Sequence, residues 1–240
     1  MKKLLFSLLL LPFLSSAQDK NVITIDRYFP KADKVSQFEK ALAAHAQKFH
    51  KGDVQWRVYT VETGPDAGAY HVVEGPTSWD ALDNRGDISK AHTDDWNMNV
   101  QPLLSDRAAQ TGYLTFRQDL STAIQTDYSD KISVLHLFQN PGYRGDVENL
   151  IKDMKKAWTD NGDFVAVYEA SSSGEPQFAI VTRYKNGLKD RVAINRQSMQ
   201  SIFAKAGDQS SWNRYIENYK QSVNHQWSEM LFFKPELGSK

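Results

Sequence analysis

Short runs rich in β-branched and aromatic residues alternate along this chain with longer stretches of helical period. Val22 to Phe29 and Ile132 to Phe138 read as strands. Each is followed by a helical pattern, with Val35, Phe38, Leu42 and Phe49 on one stripe and Val147, Leu150, Ile151, Met154 and Trp158 on another. Asp33 and Asp146 stand where N-caps are wanted, and Gly52 and Gly162 where a left-handed residue ends a helix. Two strands come next each time: Val54 to Glu62 with Tyr70 to Glu74, then Phe164 to Ala170 with Phe178 to Arg183. Gly64-Pro65-Asp66 and Ser173-Gly174-Glu175-Pro176 supply the turns between them.

A second helical stretch follows in both places. Trp212, Tyr215, Ile216, Tyr219 and Val223 make a clear apolar stripe, whereas His92, Trp96, Val100 and Leu103 make a rougher one that Pro102 kinks or ends. Gly112 to Arg117 and Trp227 to Phe233 read as closing strands. The order β-α-β-β-α-β thus occurs twice, which is the split βαβ arrangement of ferredoxin-like units.

Laid on itself, the chain repeats in sequence as well. Gly52-Asp53 recurs as Gly162-Asp163 at an offset of 110 residues, and Val58-Tyr59 recurs as Val167-Tyr168. Trp96-Asn97 recurs as Trp212-Asn213, and the run from Leu114 to Leu120 as that from Leu231 to Leu237, always in the same order. The expected organisation is a first ferredoxin-like unit over 20–120, a polar linker over 121–131 and a second unit over 132–237. This element order resembles the dimeric α+β barrel superfamily, with the two units fused in one chain as an internal pseudo-dimer. The resemblance rests on topology and length. It implies an α+β fold with a central cavity. It also implies a function among those of that superfamily, which includes cofactor-free monooxygenases, haem peroxidases and decarboxylases. No motif carries a catalytic residue across.

Composition narrows the setting. Lys2 and Lys3, an apolar run from Leu4 to Leu14 and the small residues Ser15-Ser16-Ala17 have the form of a cleavable signal peptide over 1–17. The run is too short for a membrane anchor, which needs roughly 20 apolar residues. A bacterial periplasmic or extracellular destination is expected. The chain has no cysteine, so thiol catalysis, Cys-based metal sites and disulfides are excluded and stability must come from a core. Basic and acidic residues balance at 29 each with no basic block, which argues against a nucleic-acid partner.

Nucleophile elbow, phosphate loop, dinucleotide fingerprint and zinc-protease helix are all missing from the sequence. His45 and His50 are five apart on a predicted helix, which turns them to separate faces and toward solvent. His92 with Asp94 and Asp95 reads either as a polar helix start or as a metal cluster; no ligand spacing supports the latter, so no metal is assigned. His71 shares strand parity with Ala69 and Val73, and His136 with Ile132 and Val134. If those faces line a cavity, each histidine can carry a proton or ligate haem; otherwise each is a half-buried histidine bonded to backbone. Arg57 and Tyr59 share one face of their strand and Tyr168 repeats Tyr59, so these three are candidate ligand-binding residues or a cap between the units. Trp96 and Trp212 lie on helix stripes and read as core.

Two functions remain. The first is a barrel that binds or converts a small, partly apolar molecule, with no organic cofactor or with haem. The second is a non-enzymatic envelope interaction module whose barrel is filled by side chains. The direction in which Arg57, Tyr59 and His71 point separates them.

Overall fold

Eight strands form the frame: β1 (Val22–Tyr28), β2 (Trp56–Thr63), β3 (Tyr70–Thr77), β4 (Gln110–Phe116), β5 (Lys131–Gln139), β6 (Phe164–Ala170), β7 (Gln177–Arg183) and β8 (Val223–Phe233). The computed structural model describes residues 20–86, 88–170, 174–192, 197–205 and 209–240. The expected leader, 1–17, and Ser173 of a predicted turn lie outside the described residues. The strands close into one barrel in the order β1-β3-β2-β8-β5-β7-β6-β4, with every neighbouring pair antiparallel. One half therefore runs β4-β1-β3-β2 and the other β8-β5-β7-β6. The halves meet at two seams, where Tyr59 pairs with Phe233 and Leu114 with Ala170. Closure leaves no free sheet edge.

Alternation along each strand sends one set of side chains inward and the other under helices. Inward residues such as Ile23, Tyr59, Val61, Leu114, Val134, Tyr168 and Leu231 form the barrel core. Outside, α1 (Val35–Phe49) packs Phe38, Leu42 and Ala46 on Trp56, Val58 and Val72. On the second half, α4 (Arg144–Asn161) and α6 (Gln209–Ser222) cover Leu137, Val167, Phe178 and Ile180. Trp96 and Trp212 pack against these outer cores as the helical stripes predict. Among the described residues, no helix is long and apolar enough to cross a membrane.

Several local expectations need correction. The N-cap of α1 is Lys34 rather than Asp33, and Asp146 sits inside the first turn of α4, whose N-cap is Tyr143. Gly162 ends α4 in the left-handed region at φ 68, but α1 ends two residues before Gly52, at His50, whose backbone is extended. Gly52 instead opens a 3-10 turn. The rough stripe of the first half is a composite. It starts as α3 (Lys90–Asp95), passes through a π turn over Trp96–Val100, and tightens to a 3-10 turn at Pro102. Two short helices were not expected, α2 (Trp79–Arg85), capped by Ser78, and α5 (Met199–Lys205).

His45 and His50 are buried rather than solvated, at 0% and 1% exposure. Five residues apart they diverge only if both are helical. Because the chain is extended at His50, its ring swings back beside His45, with centroids 5.3 Å apart.

The polar segment 121–130 is packed against the barrel. Ser121 Oγ accepts from Val167 N at 2.8 Å and Thr122 Oγ1 from Val165 N at 2.9 Å, so the segment runs along β6. Arg183, buried at the barrel wall, then donates to the carbonyls of Ile124 (2.6 Å), Gln125 (3.0 Å) and Asp127. These bonds fold the segment over one barrel end. At the C-terminus, Ser239 bonds Trp56 from both its backbone and its hydroxyl. A Cβ at Gly238 would lie 2.6 Å from the Trp56 carbonyl oxygen, so only glycine lets the tail approach that closely.

Candidate functional site

An apolar chamber of about 70 Å³ lies inside the barrel, walled by Ile23, Ile25, Val73, Leu114, Val181 and Leu231 among others. Arg57, Tyr59, His71, His136 and Tyr168 all line it, so the structure brings together the five candidate residues from both halves of the chain. Strand parity explains this: each shares an inward face with residues of the barrel core.

One end of the chamber is lined by Tyr128 and Ser129 of the 121–130 segment. There Arg57 donates to the Gly75 carbonyl at 3.2 Å and lays its guanidinium 3.6 Å from the Tyr128 ring centre. Arg183 reaches the Tyr168 hydroxyl at 3.4 Å. Burial pushes both phenols, Tyr59 and Tyr168, up to about 12, so they stay protonated as hydrogen-bond donors.

The other end opens through His71 and His136 into a vestibule of about 240 Å³, which shares Ile25, His71, Leu114 and His136 with the chamber. Arg27, Asp66, Gln177 and Trp227 line the vestibule. At the neck Arg27 clasps Glu229 with two bonds, Nη1 to Oε2 at 2.9 Å and Nη2 to Oε1 at 2.7 Å. His136 Nε2 faces the same carboxylate at 3.1 Å, its Nδ1 faces Gln177 Oε1 at 3.0 Å, and its ring stacks on Trp227 at 3.9 Å. Burial alone would raise the Glu229 carboxyl. The bonds from His136 and Arg27 outweigh that and hold it at about 2, so it is ionised.

His71 is the contrasting member. It is buried beside Arg27, its cross-strand partner on β1, and these two effects, burial the larger, push it down to about 3. The ring is therefore neutral. Both His71 and Ser129 line the chamber, and His71 Nδ1 and the Ser129 hydroxyl are buried with no hydrogen-bond partner among the described residues. A buried polar atom left unpaired costs roughly 1–3 kcal/mol, which a bound hydroxyl or carbonyl would recover.

Arg27, Glu229, Arg183, Tyr128 and Trp227 were not singled out in the sequence. Parity could have found three of them, since Arg27 follows Ile23 and Ile25, Arg183 follows Ala179 and Val181, and Glu229 precedes Leu231, all at intervals of two. A charge on an otherwise apolar strand face marks either a solvent edge or a functional interior. Tyr128 carried no such signal, because nothing in a polar connection shows where it folds.

No family model matches this chain, and no curated protein matches it. Similarity appears in the fold. A candidate monooxygenase from Fusobacterium nucleatum subsp. nucleatum superposes with a TM-score of 0.57 at 13% identity, over 88% of this chain and 91% of that one. An anthrone oxidase-like protein gives 0.55 at 12% identity, over 90% and 92%. A candidate monooxygenase from Lactobacillus acidophilus NCFM gives 0.53 at 10% identity, over 92% and 97%. The resemblance to dimeric α+β barrel proteins drawn from the element order is thus carried by the fold over nearly the whole chain.

Haem can be tested against the geometry at the two histidines. The chamber they border holds about 70 Å³, well below the roughly 300–1,000 Å³ of drug-sized ligand sites. A porphyrin does not fit inside that chamber.

Proposed function

We propose that the barrel interior binds a small, partly apolar molecule without a resident organic cofactor. In this reading two tandem ferredoxin-like units, joined by 121–131, form an internal pseudo-dimer around one site. The observation that carries it is His71, a neutral, chamber-lining histidine whose buried Nδ1 has no hydrogen-bond partner among the described residues. The chamber accepts a compact apolar head, and the vestibule takes the polar remainder beside Arg27, Gln177 and Trp227. His71 orients a hydroxyl or carbonyl by hydrogen bonding. The His136–Glu229 pair, with Nε2 3.1 Å from a carboxylate oxygen, is the group placed to move a proton. The names of the fold neighbours, monooxygenase and anthrone oxidase-like, support conversion of such a molecule over mere storage. Export through a cleaved leader belongs to the same reading; the mature protein is expected to begin at Gln18, and N-terminal sequencing that finds Met1 would reject it.

Calorimetric titration with 4-nitrophenol, a small ring bearing one hydroxyl, tests the site. One molecule per chain is expected to bind. Ala179→Leu, which pushes added methyl groups into the chamber from a wall residue, is expected to abolish binding at a cost of roughly 1–3 kcal/mol in stability, which leaves the protein folded. His71→Leu should weaken binding about tenfold, the worth of one hydrogen bond. Binding that survives Ala179→Leu would place the ligand elsewhere, and no binding by the parent protein would favour the side-chain-filled barrel.

A further inference from the structure

Three histidines from separate parts of the first half converge outside the barrel, beneath α1 and α3. His45 comes from α1, His50 from its extended C-cap, and His92 from the first turn of α3. Ser89 fixes the last by accepting from the His92 backbone N–H at 3.1 Å. The potential ligand atoms of the three rings all lie within 4.8 Å of one another.

Their other ring nitrogens show which atoms are available. His45 Nδ1 meets Asp95 Oδ2 at 2.9 Å, and His50 Nδ1 faces the Val54 carbonyl at 3.1 Å and Glu74 Oε2 at 3.2 Å. Each of these neighbours only accepts, so in the neutral tautomer of either ring the proton belongs on Nδ1 and the lone pair on Nε2. His45 Nε2 is buried with no hydrogen-bond partner among the described residues. His50 Nε2 stands 3.3 Å from His92 Nε2. Two nitrogens bound to one tetrahedral zinc at about 2.0–2.1 Å lie about 3.4 Å apart, so this pair already has the spacing of two ligands. A histidine whose far nitrogen donates to a carboxylate is the usual arrangement behind a metal ligand, because that bond fixes the ring and raises its basicity.

The surroundings are those of a metal shell. Trp56 stacks on His50 at 3.6 Å, and Phe49 and Trp96 pack against His45 at 5.1 and 5.2 Å, making an apolar wall. Glu74 is itself held by Trp56 Nε1 at 2.8 Å and by Arg85. Asp95 is also reached by Lys48 at 3.3 Å, so both supporting carboxylates are anchored.

We propose that His45, His50 and His92 form a binding site for one divalent transition-metal ion, with Zn²⁺ the expected occupant. Three imidazoles and no thiolate suit zinc, copper or nickel over calcium or magnesium. His92 is half-buried, so the fourth position faces outward and takes water or a small anion. The ion cross-links α1 to α3 and is independent of the barrel interior, which has its own histidines.

The test is a Zn²⁺ titration of the chelator-stripped protein in competition with a chromophoric chelator. One tightly held Zn²⁺ per chain is expected, together with a rise in melting temperature. His92→Ala lies on a half-exposed turn and should leave the stripped protein's melting temperature unchanged, yet remove both effects. Asp95→Asn should weaken binding about 10–100-fold. Exposed His225 serves as the control, and His225→Ala should bind like the parent. Absence of stoichiometric binding by the parent would overturn the proposal, as would binding that persists in His92→Ala or disappears in His136→Ala.

Discussion

Folding linkage at His71 should make the protein lose stability in mild acid. The histidine is held at about 3 in the barrel, against an ordinary value of 6.5 in the unfolded chain. A group whose folded value is depressed contributes stability that is present above its unfolded value and lost as pH falls toward the folded one. The window here is therefore from about 6.5 down to about 3. Between about pH 7.5 and about pH 5 the unfolded chain takes up nearly one proton at this residue and the native state almost none, which costs about 2 kcal/mol. Urea unfolding at the two pH values measures the loss, and His71→Gln isolates it, because a neutral amide keeps polarity without titrating. The parent should lose about 2 kcal/mol more than the variant over that interval. Equal losses would show that His71 is accessible to protons in the native state, and the argument for a neutral, unpaired ring in the chamber would fail.

Glu229 gives a second, lower window: held at about 2 against 4.5, its contribution is complete above about 4.5 and lost as pH falls toward 2. Glu229→Ala, which leaves the buried Arg27 guanidinium only its longer pairing with Asp66 at 3.8 Å, should cost about 3–5 kcal/mol by urea unfolding. Arg27→Met combined with Glu229→Leu should recover much of that, and a double variant as weak as the single would argue against the stranded charge as the cause. Adding haem to the purified protein should leave the Soret band as it is for free haem; a shift that disappears on replacing His71 or His136 would refute the cofactor-free reading.

Much of this architecture is written in the sequence as period. Runs of β-branched and aromatic residues gave the eight strands to within a few residues, and the pairs Val58-Tyr59 and Val167-Tyr168 lie on β2 and β6, each with its tyrosine in the barrel core. The same parity placed His71 and His136 beside apolar neighbours that face the interior. What escaped depends on backbone departures that period cannot report. His50 was misplaced because α1 stops at Phe49, the last residue of its stripe, and the one extended residue beyond it converts two diverging histidines into a pair. The π turn at Trp96 likewise breaks the rough stripe of the first half. The end of the chamber lined by Tyr128 was hidden for another reason. Ser121, Thr122 and Tyr128 look like a tether until Arg183 is known to point inward, where it gathers three carbonyls of that segment.

Ligand contact at His71 can be read directly from the ring nitrogens. Long-range ¹H–¹⁵N correlation spectra of the ¹⁵N-histidine-labelled protein, recorded near pH 7 without and with 4-nitrophenol, resolve each imidazole. His71 is expected to be neutral, with an Nδ1 resonance that moves on saturation, while His45 and His50, outside the barrel, stay in place. A His71 resonance that ignores the ligand, while calorimetry reports binding, would contradict that contact.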